Sequence, residues 1–343
     1  MENNYVSLKD TITRLLNSND AVFITGHNNP DFDALGASIG IAFICEKFKK
    51  KCYIVVDEDH QEMDKSTAIV FEDMKNRFNV IKSDEVKNFK GEENLLIVLD
   101  TNKEYRIHTS ASEYNDILII DHHEPDDKTI KNSYKYIDTN ASSTCEIIVG
   151  LMNQLKVKFD PKYFANYLYA GIKLDTKDFN KATNLAHILA GKLLESGADI
   201  TFVNNLFAED FEKDRLIQKL VQETKMVDFS IAIACQNPNL DVYYAREDLA
   251  KAADYLLKFN VNASFAIGKL DEQNYYISAR SKGLIDVGNV MSRFSEGGGN
   301  LRSAAAKVPM TMSLDELESL LMHYLTPGYI HKEEDTKVKR LTL

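Results

Sequence analysis

Two uninterrupted apolar runs, Leu95-Leu96-Ile97-Val98-Leu99 and Ile117-Leu118-Ile119-Ile120, constrain the fold more than any other feature of the chain. A strand with one wet face alternates polar and apolar residues. A strand that is apolar at every position must be covered on both faces, the condition of a parallel sheet between layers of helices. Ala21–Thr25 and Cys52–Val56 read as strands of the same sheet. Amphipathic segments at Ala34–Phe48 and Ser66–Arg77 supply the intervening helices, so the first half alternates in the βα manner.

From Ser143 to about Lys225 the pattern becomes helical, with a helix at Glu146–Gln154 and Gly197 closing another. Met226–Cys235 opens a second β-rich segment. Strands are expected there at Ala263–Lys269 and Tyr275–Ser281, and helices at Asp248–Lys258, Val287–Phe294 and Leu314–Leu325. The expected fold class is α/β. A parallel-sheet N-terminal domain (1–199) is joined by a helical linker (200–225) to a smaller α/β C-terminal domain (226–326), with a polar, frayed tail over 327–343. The active site is expected in the cleft between the two domains.

Acidic and histidine residues cluster at the strand ends. His27, Asp31 and Asp33 follow the first strand, Asp100 follows Leu99, and Asp121-His122-His123 follow Ile120. Ligands of open parallel sheets bind beyond the carboxyl ends of the strands, so three strands deliver carboxylates and imidazoles to one edge. A single Asp in such a place is most often a helix cap or turn residue; three strand ends together are not explained that way. Crowded carboxylates repel, and divalent cations relieve the conflict. Mixed Asp and His ligation without cysteine suits Mn²⁺, with Mg²⁺, Co²⁺ or Fe²⁺ as alternatives. More than four candidate ligands point to two ions, the usual arrangement for displacement at phosphorus. His60, His108, His187, His323 and His331 fall in no constellation and receive no role.

The formal net charge of −11 argues against a duplex nucleic acid partner, whose binding rests on basic surface. A small nucleotide remains compatible if cations or a few arginines neutralise it locally. No apolar run is long enough to span a membrane, so no membrane contact is expected within this chain. The four cysteines, Cys45, Cys52, Cys145 and Cys235, form no CxxC pair, and a reducing cytoplasmic setting follows. A homodimer is left open.

At this level of detail the chain resembles the DHH phosphoesterases. Gly26-His27, Pro30-Asp31 and Asp33-Ala34 with Gly36 resemble their first motif, and Asp121-His122-His123 the motif that names them. Ala141–Thr144 and Gly171–Thr176 resemble the next two. Ile277–Ser281, and Gly297-Gly298-Gly299-Asn300 followed by Ala304–Ala306, resemble the DHH-associated C-terminal domain. Within the family the wording is similar to the catalytic portion of GdpP-type cyclic-di-AMP phosphodiesterases, through Asn262–Ile267, Ser278–Ser281, Asp175–Phe179 and Ser196–Asp199. Such proteins usually carry membrane helices and sensory domains ahead of this portion. The chain is therefore expected to be a standalone soluble version or the cytoplasmic portion of a membrane-anchored protein.

The resemblance implies roles position by position. His27 and Asp31 would ligate one metal, Asp33 and His122 the other, Asp100 would bridge both, and Asp175 would complete the set. His123 would face the scissile phosphate as donor or general acid. Ser142 and Ser143 would shape the phosphate pocket, with at least one of Ser142, Ser143 and Thr144 also a helix cap. Arg280 and Ser281 would reach a substrate phosphate, and Gly298, Gly299 and Asn300 would approach the ligand through a glycine run whose N–H groups can form an anion nest, or which is simply a turn. The implied reaction is hydrolysis of cyclic-di-AMP to pApA by hydroxide attack in line with the leaving 3′-oxygen. The chain departs from the pattern at Asn300, where histidine is usual, at Glu296, where another glycine is, and at Ala182, where arginine is common. These departures keep two alternatives open: a nanoRNA exonuclease and pAp phosphatase on the same scaffold, or a catalytically weak nucleotide-binding regulatory module. A family-C inorganic pyrophosphatase fits less well, because the Arg280 and Gly297–Asn300 segments belong to the other type of second domain.

Overall fold

Every residue of β1 (Ala21–Thr25) and of β4 (Asn94–Leu99) is buried, because both lie at the centre of a sheet with helices on its two faces. The computed structural model describes residues 5–58, 63–208, 211–228 and 230–325. The tail 327–343 with His331, and His60, lie outside the described residues. The chain divides into two compact units, Met1–Ala208 and Glu209–Leu343.

The first unit runs α1 (Val6–Ser18), β1, α2 (Phe32–Lys47), β2 (Lys51–Val55), α3 (Lys65–Arg77), β3 (Val80–Ile81), β4, β5 (Asp116–Asp121), β6 (Tyr134–Ile137), α4 (Thr144–Leu155), α5 (Ala165–Asp175), α6 (Asn184–Glu195) and α7 (Ile200–Leu206). Among the described residues its sheet has six strands in the order β3-β2-β1-β4-β5-β6, parallel at every pairing. The chain moves outward from β1 to β3 and then returns to lay β4 on β1's other edge. The crevice beyond the carboxyl ends of β1 and β4 is therefore the point where the winding reverses, the preferred ligand position in doubly wound sheets.

Helix α2 is buried along nearly its whole length because α4 and α5 cover the face turned away from the sheet. Glycines allow that approach. A Cβ on Gly36 would lie 2.7 Å from the Tyr167 carbonyl oxygen and 2.8 Å from Cys145 Sγ, and one on Gly171 would lie 2.5 Å from Cys145 Sγ and 2.9 Å from Asp33 Oδ1. The three helices that carry Asp33, Thr144 and Asp175 are thus locked together at backbone distance.

The second unit runs α8 (Phe211–Gln222), β7 (Thr224–Val227), β8 (Ile231–Cys235), α9 (Arg246–Leu257), β9 (Ala263–Lys269), β10 (Asn274–Ser281), α10 (Val287–Met291), β11 (Glu296–Gly299), β12 (Ser303–Pro309) and α11 (Leu314–Tyr324). Its sheet order among the described residues is β11-β12-β10-β9-β8-β7, with β8 and β9 parallel and the other pairs antiparallel. One apolar cluster joins Ile217 and Leu220 of α8 to Leu249 and Leu256 of α9. A second joins Val287 of α10 to Leu314, Leu317 and Leu321 of α11. Of the segment 200–225, α7 sends Val203 and Leu206 into the first unit's core and α8 serves the second.

Most expected elements appear with ends shifted by one to three residues. The glycine run differs. Gly297–Gly299 belong to edge strand β11, paired with Ala304–Ala306 of β12, so the backbone is extended there and is neither an anion nest nor a turn. A Cβ at Gly297 would sit 2.0 Å from the Met291 carbonyl oxygen, which gives that glycine a packing reason.

Candidate metal centre and catalytic site

The loop after β1 opens with His27 and ends at Asp31, the N-cap of α2. Asp31 Oδ1 accepts hydrogen bonds from the backbone N–H of Asp33 (2.9 Å) and Ala34 (3.1 Å), which leaves Oδ2 turned toward His27 Nε2 at 3.7 Å. His27 Nε2 also lies 3.5 Å from Asp100 Oδ2. His27 Nδ1 sits 2.9 Å from the Asn28 carbonyl oxygen. An Nδ1–H donated there is the tautomer that leaves Nε2 free as a ligand.

Asp33 is fully buried. Its Oδ2 accepts from the Thr144 N–H (2.7 Å) and its Oδ1 from the Cys145 N–H (2.8 Å), so the first turn of α4 holds the carboxylate where the helix dipole favours negative charge. Asp100, at the end of β4, has a left-handed backbone (φ 57°) and accepts from Thr144 Oγ1 at 3.1 Å. A non-glycine residue in that region is uncommon, and aspartate is among the residues that tolerate it. The conformation turns the Asp100 carboxylate between the two histidines. His122 Nε2 lies 3.4 Å from Asp100 Oδ1 and 3.0 Å from Asp175 Oδ2 at the last residue of α5.

Ligand-capable atoms of Asp33, Asp100, His122 and Asp175 lie within 4.8 Å of one another, as do those of His27, Asp31 and Asp100. Asp100 belongs to both groups. A divalent cation fits this donor set on a direct observation: His122 Nε2 is buried, stands among carboxylate oxygens, and is aligned for a hydrogen bond with no described atom. A buried nitrogen left so is costly unless it has a partner of another kind.

The electrostatics point the same way. Burial alone would lower the His27 imidazole, but Asp100 and Asp31 override it and hold the pKa at about 10. His122, likewise opposed by burial, is held at about 11 by Asp100 and Asp175. Burial, then the charges of Asp100, Asp175 and Asp31, push Asp33 well above the usual carboxylate range; burial raises Asp175 too. Asp100 goes the other way: despite burial, His122 and His27 hold it well below that range. Without a cation the imidazoles must act as the site's positive charges.

Asp121 is buried and is not among the clustered donors. Its Oδ1 accepts from the N–H groups of His122 (2.8 Å) and His123 (3.2 Å) and lies 2.9 Å from His123 Nδ1, while Asn102 Nδ2 donates to Oδ2 at 2.6 Å. Asp121 therefore fixes the turn that aims the two histidines. His123 is half exposed, and the Asp121 contact raises its pKa against burial, so its outer Nε2 tends to keep a proton.

The softer candidates are placed differently. Ser143 is a buried N-cap of α4, accepting from the Glu146 N–H at 3.0 Å. Ser142 donates its N–H to Glu146 Oε2 (2.7 Å), and its hydroxyl accepts from the Thr183 N–H (2.9 Å). In the second unit Arg280 Nε reaches Asp254 Oδ1 at 3.1 Å, and buried Ser281 accepts from the Gly283 N–H. Asn300 Oδ1 accepts from the N–H groups of Arg302 and Ser303, both at 2.9 Å, which makes it the pivot of the β11–β12 turn. Gly298 has open space where a Cβ would stand, Gly299 has φ 149°, and Glu296 lies opposite Lys307 in the strand register. Sequence reasoning assigned nothing to Asn102, Glu58 or His108, which the fold brings around the same loops.

Residues 21–172 match the model of the DHH family N-terminal domain, and residues 232–326 that of the DHHA1 domain. The chain is similar to "Cyclic-di-AMP phosphodiesterase GdpP" of Bacillus subtilis, 31% identical over 340 residues, covering 94% of this chain and 50% of that one. It is also similar to "Probable bifunctional oligoribonuclease and PAP phosphatase NrnA" of Streptococcus mutans, 33% identical over 195 residues, covering 55% and 57%. Among solved structures, an exopolyphosphatase-related protein from Bacteroides fragilis superposes with a TM-score of 0.69 at 21% identity, covering 93% of this chain and 96% of that one. It shares the fold. The chain spans half or less of the length of the curated relatives it matches most fully. No described helix is long and apolar enough to cross a membrane. With both domain models matched in order and the strand-end donors gathered at the reversal of the sheet, the chain belongs to the DHH phosphoesterase family.

Proposed function

We propose that the chain is a phosphodiesterase that holds two Mn²⁺ ions and hydrolyses cyclic-di-AMP to pApA, acting in the cytoplasm on its own or as the cytoplasmic portion of a longer membrane-anchored protein. The observation that carries the reading is the pair of donor groups sharing Asp100, one of which contains the buried, unaligned His122 Nε2. The similarity to the GdpP protein over most of the chain supports the choice of substrate.

In this reading His27 and Asp31 hold one ion, Asp33 and His122 the other, Asp100 spans both, and Asp175 completes the set. When bound, divalent cations supply positive charge against the phosphoryl oxygens and an acidified water as nucleophile. The chain's own work is positioning. The first turn of α4 fixes the Asp33 carboxylate through the Thr144 and Cys145 N–H groups. Asp121 holds the Nδ1–H of His123 and favours the imidazolium, which is the form whose Nε2 proton can pass to the leaving 3′-oxygen. The second unit serves as the substrate-binding domain: Arg280, Ser281, Gly298, Gly299 and Asn300 receive the phosphate, with Arg280 exchanging Asp254 for it. Ser142 is the α4-entry hydroxyl that keeps an O–H to donate to a phosphate, since Ser143 is spent on its cap.

The similarity to the NrnA protein supports a second reading, a nanoRNA exonuclease and pAp phosphatase on the same ligand set. Parallel assays on cyclic-di-AMP, pApA and pAp with Mn²⁺, Mg²⁺ and Co²⁺, resolved by product chromatography, separate the two. Fastest conversion of cyclic-di-AMP to pApA is expected, and Asp100→Asn should reduce it to background. An inert cyclic substrate beside rapid cleavage of pApA or pAp would move the protein to the second reading. Silence on all three would leave a nucleotide-binding module.

A further inference from the structure

The peptide between Asn28 and Asn29 is held at both ends. Its carbonyl oxygen lies 2.9 Å from His27 Nδ1, and its N–H donates to Glu58 Oε1. Glu58 lies just past the end of β2 and is buried. His108 Nε2 sits 2.9 Å and 2.8 Å from the two Glu58 carboxylate oxygens, and His108 Nδ1 lies 3.4 Å from Asp57 Oδ2. The same segment pins the loop a second time, because the Asn28 N–H donates to the Arg106 carbonyl oxygen at 2.6 Å.

Asn29 has φ 53°. A flip of the 28–29 peptide would return it to the negative φ that side-chain-bearing residues prefer. The same flip would turn the carbonyl away from His27, leaving the imidazole without its acceptor and its tautomer unset. Asparagine tolerates this φ better than most residues, so the loop can adopt either orientation, and the Glu58 carboxylate, gripped by His108, is placed to select the one observed. We propose that Glu58 is a positioning residue for the candidate metal ligand His27, acting through the Asn28–Asn29 peptide, with His108 as its anchor. The arrangement extends the familiar carboxylate–histidine pairing behind a metal ligand by one peptide group. It rests on the metal-centre reading above and adds a residue pair to it.

The test is Mn²⁺ affinity of the full chain by titration calorimetry, alongside thermal melting without metal, for wild type, Glu58→Ala, Glu58→Gln and His108→Gln. Glu58→Ala is expected to weaken Mn²⁺ binding by about 10–100-fold, while the metal-free melting temperature stays close to wild type. Glu58→Gln keeps an oxygen for the Asn29 N–H and should recover most of the loss. Should Glu58→Ala fail to fold, His108→Gln, at the less buried end of this relay, carries the same test with a smaller expected loss. Unchanged affinity in a folded variant overturns the proposal, as does a loss that only parallels reduced metal-free stability. If wild type binds no Mn²⁺ at all, the metal-centre reading falls and takes this one with it. If wild type binds Mn²⁺ but cleaves none of the three nucleotides, only the substrate assignment fails.

Discussion

At the scale of single residues, the site is a balance of charge that a cation would change. His27 and His122 are held at about 10 and 11 by their carboxylate neighbours, against an ordinary value of 6.5. A histidine whose folded pKa exceeds its unfolded value contributes stability that is whole below about 6.5 and is lost as pH rises through the folded value. Metal-free protein should therefore lose thermal stability between roughly pH 6.5 and 11. Cation affinity should climb over the same window, because each imidazole must release its proton before it can ligate. Melting curves and Mn²⁺ titrations at pH 6.5, 8 and 9.5 check both slopes, and an affinity that falls with pH would contradict the assignment of the two histidines as ligands. The gathered residues His27, Asp31, Asp33, Asp100, His122 and Asp175 could be read from the sequence because each follows a strand or closes a motif. Glu58 obeys the same strand-end rule at β2, and that signal was available. His108 and Asn102 were not legible: their partners lie 50 and 19 positions away and meet only when the sheet closes.

At the scale of elements, the sheet's central strands were legible because full burial leaves an uninterrupted apolar run. The edges were not. β6 is half exposed, β3 has two residues, and β12 is built on alanines whose period-two burial carries little propensity. The glycines of β11 look like a turn or a nest in isolation, and only pairing with β12 makes them a strand. Helix packing around α2 is the element on which ligand geometry depends. Gly36→Ala places a methyl against the Tyr167 carbonyl and Cys145 Sγ, and overpacking of this kind costs about 1–3 kcal/mol. We expect an unfolding free energy lower by that amount and weaker Mn²⁺ binding, since the shift passes directly to the turns holding Asp33 and Asp175. Equilibrium denaturation with and without Mn²⁺ measures both.

At the scale of the molecule, two units each own a core, and all candidate metal ligands belong to the first. A fragment of residues 1–208 should fold, bind Mn²⁺ with near-parental affinity and, on the proposed reading of Arg280 and Asn300 as substrate contacts, lose turnover on cyclic-di-AMP. Calorimetry and product chromatography on the fragment test the two halves of that statement, and retained turnover would remove the second unit from the substrate site.

The winding of the first sheet has one more consequence. Parallel neighbours cannot be joined by a short hairpin, so the donors at positions 27, 100, 122 and 175 become neighbours only after several long crossovers have closed. Pairings of that separation form late in folding. The full donor set therefore exists only in the closed sheet, and a cation bound there would favour the closed chain over the open one by mass action.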